Sequence, residues 1–359
     1  MIARFSLAPL RKNFLLFAHM NFRALFAFLT VSCLALAPLS AAKRKAAPTT
    51  GATFKGAIVT DAETGKVLID ENADIVSPPA SVTKLMTFLV VQDRIREGKL
   101  TLQTPVTAEA ADSKMGGTQV WLKEGEVFPV EELLYALMIQ SANDAATALA
   151  HAAAGSREAF VQMMNARAKQ LGMTNTTFRS PHGLPPSDRK LSDSDLTSPR
   201  DLAILSRELL RTTDILKYTS VRERPFRTNA LKPVIMRNHN HLLGKVAGVD
   251  GLKTGFTNTA EFCIAVTALR NGHRIIAVVM GSPDRLVRDL RAGELIERGF
   301  SALPADAPAF SAKPSAGQNT NSTSQTPTMA SPISAAPSSA PAGSDNGAPT
   351  ISYPGSKKK

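Results

Sequence analysis

Cysteine is almost missing from this chain of 359 residues; only Cys33 and Cys263 occur. Cys33 lies in an N-terminal stretch that reads as removable, so one thiol would remain and no internal disulfide could form. The fold must then rest on its core, which a 43% hydrophobic composition allows. Cys263 sits in an apolar run and reads as a small buried residue rather than a nucleophile. Also lacking is any dense Lys/Arg run interleaved with aromatics, although the formal net charge is +12. Half of that excess falls at the ends. Residues 1–42 carry Arg4, Arg11, Lys12 and Arg23 with no acid, and residues 304–359 carry Lys313, Lys357, Lys358 and Lys359 against Asp306 and Asp345. Nucleic-acid binding is therefore not favoured. The mild basic bias suits an anionic polymer such as a cell wall, and a solvated surface explains it equally well.

No apolar run is long enough for an easy membrane span. The longest candidate, Ala24 to Ala37, follows Arg23 and precedes Pro38 and the small residues Ser40-Ala41-Ala42. This is the pattern of an export signal over residues 1–42, with Lys43 as the mature start and Met20 as an alternative initiator. An uncleaved anchor is the competing reading. The expected location is the periplasm or cell envelope, with membrane association left open. Residues 43–53 read as a flexible leader, and residues 54–303 hold the sequence of a folded domain. From about Pro304 the chain turns to Pro, Ala, Ser, Thr and Asn, with too few apolar side chains to order itself. Its terminal Lys357-Lys358-Lys359 offers weak contact with an anionic membrane or wall; a solubilising tail without a partner is the plainer reading.

Between these ends, Lys55–Thr60 and Lys66–Asp70 read as two strands joined by Asp61-Ala62-Glu63-Thr64-Gly65. Helices are expected from Ser81 to near Gly98, from Val130 to Gln140, through Ala145–Ala150, from Glu158 to Leu171 and from Ser198 through Leu210. Strand character returns at Gly251–Thr257, Phe262–Ala268 and Arg274–Met280, with Asn271-Gly272 as a hairpin turn. Arg285 to Gly299 closes the domain as a helix. Strands at both ends of a helical middle predict an α+β fold: one sheet from distant segments, with a helical insertion.

Three short motifs carry chemistry. Ser81-Val82-Thr83-Lys84 begins a helix after Pro78-Pro79. Spacing of three puts the hydroxyl and the amine on one helix face. An amine can activate a serine if burial or positive charge lowers its pKa. Ser141-Ala142-Asn143 falls in a break between helices, and Lys253-Thr254-Gly255 lies on a strand entering a hairpin. Each has a bland reading: an N-cap serine with a surface lysine, ordinary helix caps, a strand-edge lysine. His182, in the loop Phe178–Pro186, has no carboxylate placed beside it and is a weak triad candidate.

In this order the three motifs resemble those of penicillin-binding proteins and serine β-lactamases. The longer stretches Ser81–Thr87, Gln140–Ala145, Pro181–Leu184 and Asp250–Thr257 are similar to the low-molecular-mass D-alanyl-D-alanine carboxypeptidases, over about Lys55 to Leu303. That resemblance implies a β-lactamase/transpeptidase-like fold, an antiparallel sheet flanked by helices plus a mostly helical subdomain. It implies Ser81 as nucleophile, Lys84 as base, and Ser141 as a bridge between Lys84 and Lys253 that relays the proton. It implies Asn143, Lys253, Thr254, Gly255 and Phe256 as substrate-binding residues, the backbone N–H groups of Ser81 and Phe256 as donors to the oxyanion, and no metal or cofactor. Peptidoglycan stem peptides are the implied substrates and β-lactams the covalent inhibitors. A D,D-endopeptidase using the same residues and a non-catalytic wall-binding protein are the alternatives. One departure is Glu261, where the family often has glycine. Another is the low-complexity tail, where many relatives carry a β-rich domain and a membrane helix.

Overall fold

The structure is a computed structural model that describes residues 54–186 and 190–311. The expected export signal and leader, and the tail beyond 311, lie outside the described residues. Strands β1 (Gly56–Asp61) and β2 (Val67–Glu71) form the first hairpin. Its turn is fixed by the Asp61 carboxylate, which accepts the N–H groups of Glu63 (2.7 Å) and Thr64 (2.9 Å). A long helical insertion follows. The chain then returns as β7 (Val249–Thr257), β8 (Glu261–Arg270) and β9 (His273–Ser282), and ends in α8 (Arg285–Ser301). Asn271 and Gly272 both take positive φ (+49° and +80°), the conformation a two-residue hairpin turn needs.

The five strands form one antiparallel sheet in the order β2-β1-β9-β8-β7. The inner strands are buried on both faces, which is why β8 and β9 read as nearly unbroken apolar runs. Alternate residues divide between two cores. Ala57, Val59, Ile264, Val266, Ile275, Ala277 and Val279 pack under α8, against Ala292, Leu295 and Ile296. Ile58, Ala265, Ile276 and Val278 face the helical insertion.

The insertion contains α1 (Lys84–Arg96), α2 (Ala110–Ser113), α3 (Val130–Tyr135), α4 (Asn143–Ala154), α5 (Arg157–Gln170), α6 (Pro199–Thr212) and α7 (Ile215–Thr219). Helix α1 is its centre: its first half, Lys84 to Val91, is all buried and, apart from Lys84 and Thr87, apolar. The expected helices are present, and two of them, α5 and α6, show the expected caps. Ser156 and Ser198 accept N–H groups at the starts of α5 and α6, and Gly172 ends α5 with φ +76°. Two small hairpins, β3 (Pro105–Thr107) with β4 (Val127–Pro129), and β5 (Glu223–Phe226) with β6 (Val234–Arg237), lack the alternation that would have announced them.

Contacts with the sheet continue past the expected domain end at 303. Residues 304–311 lie against the far end of the sheet. The Phe310 N–H donates to Gly272 O (2.8 Å), its ring faces the Arg274 guanidinium (5.2 Å), and the Ser311 N–H donates to Glu63 Oε2 (3.0 Å). A single aromatic in a Pro/Ala-rich stretch supplies the contact that composition alone does not reveal.

Candidate active site

Ser81 does not sit in α1 itself. It lies in a 3-10 turn, Ala80–Thr83, that feeds α1, with Ala80 at φ +49°. Two glycines let other segments close on this turn. A Cβ on Gly183 would lie 2.0 Å from Ala80 O, and a Cβ on Gly255 would lie 2.5 Å from Pro79 O. The 180–186 loop and β7 therefore both press on the backbone that carries Ser81. The Ser81 N–H has no acceptor among the described residues, so it is free to donate into the site.

Lys84 is wholly buried beneath Ser81. Its Nζ donates to Asn143 Oδ1 (2.7 Å) and to the His182 carbonyl (2.7 Å), and lies 3.1 Å from Ser81 Oγ. Burial, then the charge of Lys253, hold its pKa well below the ordinary lysine value. A neutral amine has two N–H groups and one lone pair. In that neutral form the two acceptors would take the N–H groups and leave the lone pair for the Ser81 hydroxyl.

Asn143 opens α4. Its Nδ2 donates to Gly116 O (2.8 Å) and its backbone N–H to Thr118 O (2.8 Å). The neighbouring Asp144 carboxylate accepts the N–H groups of Val120 and Leu122, so the 116–122 loop is pinned to the start of α4. Ser141 precedes it in left-handed backbone (φ +64°), after α3 ends in a wide turn over Ala136–Gln140. The bridge expected from Ser141 to the two lysines is not formed; among the described residues its side chain makes no hydrogen bond. Asn143 occupies the position beside Lys84 instead.

Lys253 is buried on β7 and donates to Thr254 O (3.1 Å). Desolvation, then the nearby Arg288, bring its pKa down to about 7. Ser81, Ser141, Thr254, Gly255 and Phe256 line one cavity of about 360 Å³; Lys84 and Asn143 are joined to it behind Ser81, and Lys253 beside Thr254. Phe256 is half exposed at the mouth and stacks on Phe262 (4.2 Å between centroids). Every expected site residue is thus brought to one place.

Residues 41–284 match the model of the D-alanyl-D-alanine carboxypeptidase family. The chain belongs to this family. The D-alanyl-D-alanine carboxypeptidase DacF of Bacillus subtilis is 36% identical over 247 residues, 69% of this chain and 62% of that relative. A D-alanyl-D-alanine endopeptidase of Pseudomonas aeruginosa is 33% identical over 264 residues, 71% of this chain and 81% of that one. The solved penicillin-binding protein D2 of Listeria monocytogenes, in its ampicillin-bound form, superposes with a TM-score of 0.61 at 32% identity, covering 69% of this chain and 97% of that one. The chain spans less than two thirds of the length of several carboxypeptidase relatives, 62% and 60% in two cases. The expected family and fold class hold.

Several roles at the site are carried by groups to which the motifs gave no part. The His182 ring is buried with its pKa lowered to about 3 by desolvation, and only its carbonyl serves the site. Asp195 is buried and accepts from Thr83 Oγ1, Ser180 Oγ and the N–H of Ser180, tying the 180–186 loop to the Ser81 turn. His239, His241, Arg285 and Arg288 line the cavity as well. The run Asn238-His239-Asn240-His241 was the available signal for the two histidines. Glu261, the departure from the family pattern, takes φ +61° and pairs with Lys55 (3.1 Å).

Proposed function

We propose that this chain is a serine D,D-peptidase that removes the terminal D-alanine of peptidoglycan stem peptides through an acyl-enzyme. The observation that carries this reading is the buried Lys84 amine, bound at two acceptors and 3.1 Å from the Ser81 hydroxyl. Lys84 takes the Ser81 proton as Oγ bonds to the carbonyl carbon of the penultimate D-alanine. The oxyanion is met by the N–H groups of Ser81 and Phe256. The C–N bond then breaks, and the departing amine receives the proton from Lys84; Ser141, whose side chain makes no hydrogen bond among the described residues, relays it only if bound substrate brings it into line. Lys253 and Thr254 hold the terminal carboxylate, Gly255 leaves room for the substrate backbone, and Asn143 fixes the Lys84 amine. Water, deprotonated by the same lysine, cleaves the ester and restores Ser81.

The same residues would cleave a crosslink between D-alanine and a diamino acid. The endopeptidase relative, matched over 81% of its length, favours keeping this second reading. The export pattern of residues 1–42 supports an envelope location, with 43–53 as leader, 54–303 as catalytic domain, residues 304–311 packed against it, and a basic-ended tail able to touch an anionic wall or membrane. No helix among the described residues is long and apolar enough to cross a membrane.

A fluorescent penicillin tests the reading. Covalent labelling of the wild type is expected, and its loss in Ser81→Ala. Labelling that survives the substitution would rule out this nucleophile. Product analysis with a pentapeptide and a crosslinked dimer separates the two activities.

A further inference from the structure

A second cavity, of about 770 Å³, adjoins the site, and the two share His241 as a wall. Among its lining residues are Arg222, Glu223, Arg237, Asn240 and Lys245. Arg237 is neutralised by Glu223 (3.0 Å). Arg222 and Lys245 form no ion pair among the described residues, so two cations face the chamber without a partner.

The chamber's position along β7 decides what enters it. On the proposed reading, the scissile carbonyl lies at the N–H groups of Ser81 and Phe256, and the terminal carboxylate at Thr254. The leaving half of the substrate therefore points towards the N-terminal part of β7. Asn240, which lines the chamber, donates its side-chain N–H to Gly251 O (3.1 Å), on that side of Lys253. A lone D-alanine would end at Thr254. Anything attached to the leaving residue would continue past His241 into the chamber.

We propose that this chamber receives a carboxylate carried on a side arm of the leaving residue, held by Arg222 and Lys245. The inference rests on the D,D-peptidase reading and deepens it. The chain would then act on D,D-bonds whose leaving residue is an anionic diamino-acid peptide, the chemistry of a crosslink. A solvent-screened pair of cations would also draw such substrates towards the nucleophile before they dock.

Three synthetic peptides with one acyl half test this. The first leaves D-alanine. The second leaves a D-configured diamino acid whose arm ends in a carboxylate, and the third has the same arm ending in a neutral carboxamide. In the wild type, kcat/KM should favour the carboxylate arm over the carboxamide by roughly tenfold, the scale of one charge-assisted hydrogen bond. Added salt should shrink this ratio. The double variant Arg222→Gln, Lys245→Gln should bring the ratio close to one. Its cleavage of the D-alanine peptide and its penicillin labelling should stay at wild-type level. A ratio near one in the wild type, or one unchanged in the variant, overturns the chamber while leaving the peptidase reading intact. Equal losses on all three peptides in the variant also overturn it. Failure of the wild type on every peptide, with no penicillin adduct, overturns the peptidase reading itself.

Discussion

Lys253 is buried beside Arg288, and its pKa falls to about 7. Its proposed partner, a terminal carboxylate, needs the ammonium form. The charged form predominates below that pKa in the free enzyme and is lost as pH rises through it. On the proposed mechanism Lys84 has the opposite requirement, because only the neutral amine can take the Ser81 proton, and its pKa is lowered mainly by burial. Since kcat/KM reports free-enzyme ionisations, its profile against pH should be a bell whose alkaline limb starts near neutrality. Lys253→Arg keeps the cation at every accessible pH. It should abolish or raise the alkaline limb while lowering the peak, because a planar guanidinium does not fit an ammonium's seat. Superimposable limbs in the two proteins would remove Lys253 from carboxylate binding. This scale also marks what the sequence could reveal. Ser81, Lys84, Ser141, Asn143 and Lys253 were legible because side-chain chemistry at fixed spacing is written in the residue letters. The His182 carbonyl that holds Lys84 is a backbone atom and has no letter. Asp195 was hidden differently, because its partners Thr83 and Ser180 are adjacent only in the folded chain.

Elements were legible where burial is strong. The central strands carry apolar runs, the first half of α1 is mostly apolar, and Asn271-Gly272 announces its turn. Short hairpins such as β5–β6 were not, since each strand buries few side chains. Nor was the wide turn at Ala136–Gln140, which keeps a helical pattern while its hydrogen bonding changes. The close approach of three elements at Ser81 is equally unwritten, although the glycines that permit it are present. Gly183 has φ +86°, and its missing Cβ would overlap the Ala80 carbonyl at 2.0 Å. Gly183→Ala must therefore push the 180–186 loop away from the Ser81 turn. Since the His182 carbonyl travels with that loop, Lys84 loses one of its two acceptors. We expect a destabilisation of about 1–3 kcal/mol from strain and overpacking. Penicillin acylation should slow by more than the fraction unfolded accounts for. A control at an open position, Gly98→Ala, also has positive φ (+70°) but nothing near its Cβ. It should lose stability without slowing acylation. Equal acylation rates for the two folded variants would mean that the loop does not position the amine.

At the scale of the whole molecule, the sheet keeps its two ends for different tasks. Phe256 and Phe262 stand at the mouth of the site, while Arg270 and His273 lie at the other end of β8 and β9, roughly 25 Å away at the usual rise per residue. Residues 304–311 close that far end. Arg274 is almost fully buried there and pairs with Asp250 through two bonds of 2.8 Å. The Phe310 ring covers this guanidinium, so it both buries apolar surface and keeps water from the ion pair. Composition placed the domain end before this aromatic, because one Phe among Pro, Ala and Ser barely alters a window average. A chain ended after Ser311 and one ended after Leu303 should therefore differ. Loss of the segment should cost about 1–2 kcal/mol from the half-buried ring, or about 3–6 °C in Tm for a domain of this size. Phe310→Ala in the full-length chain should reproduce most of the loss. Penicillin acylation below the transition should be the same in all of these proteins, because the site lies at the opposite end of the strands. If the shorter chain melted at the same temperature as the longer one, the 304–311 segment would be no part of the folded unit. If it melted lower and also acylated more slowly, the sheet would be coupling its two ends, and their separation into a structural end and a chemical end would fail.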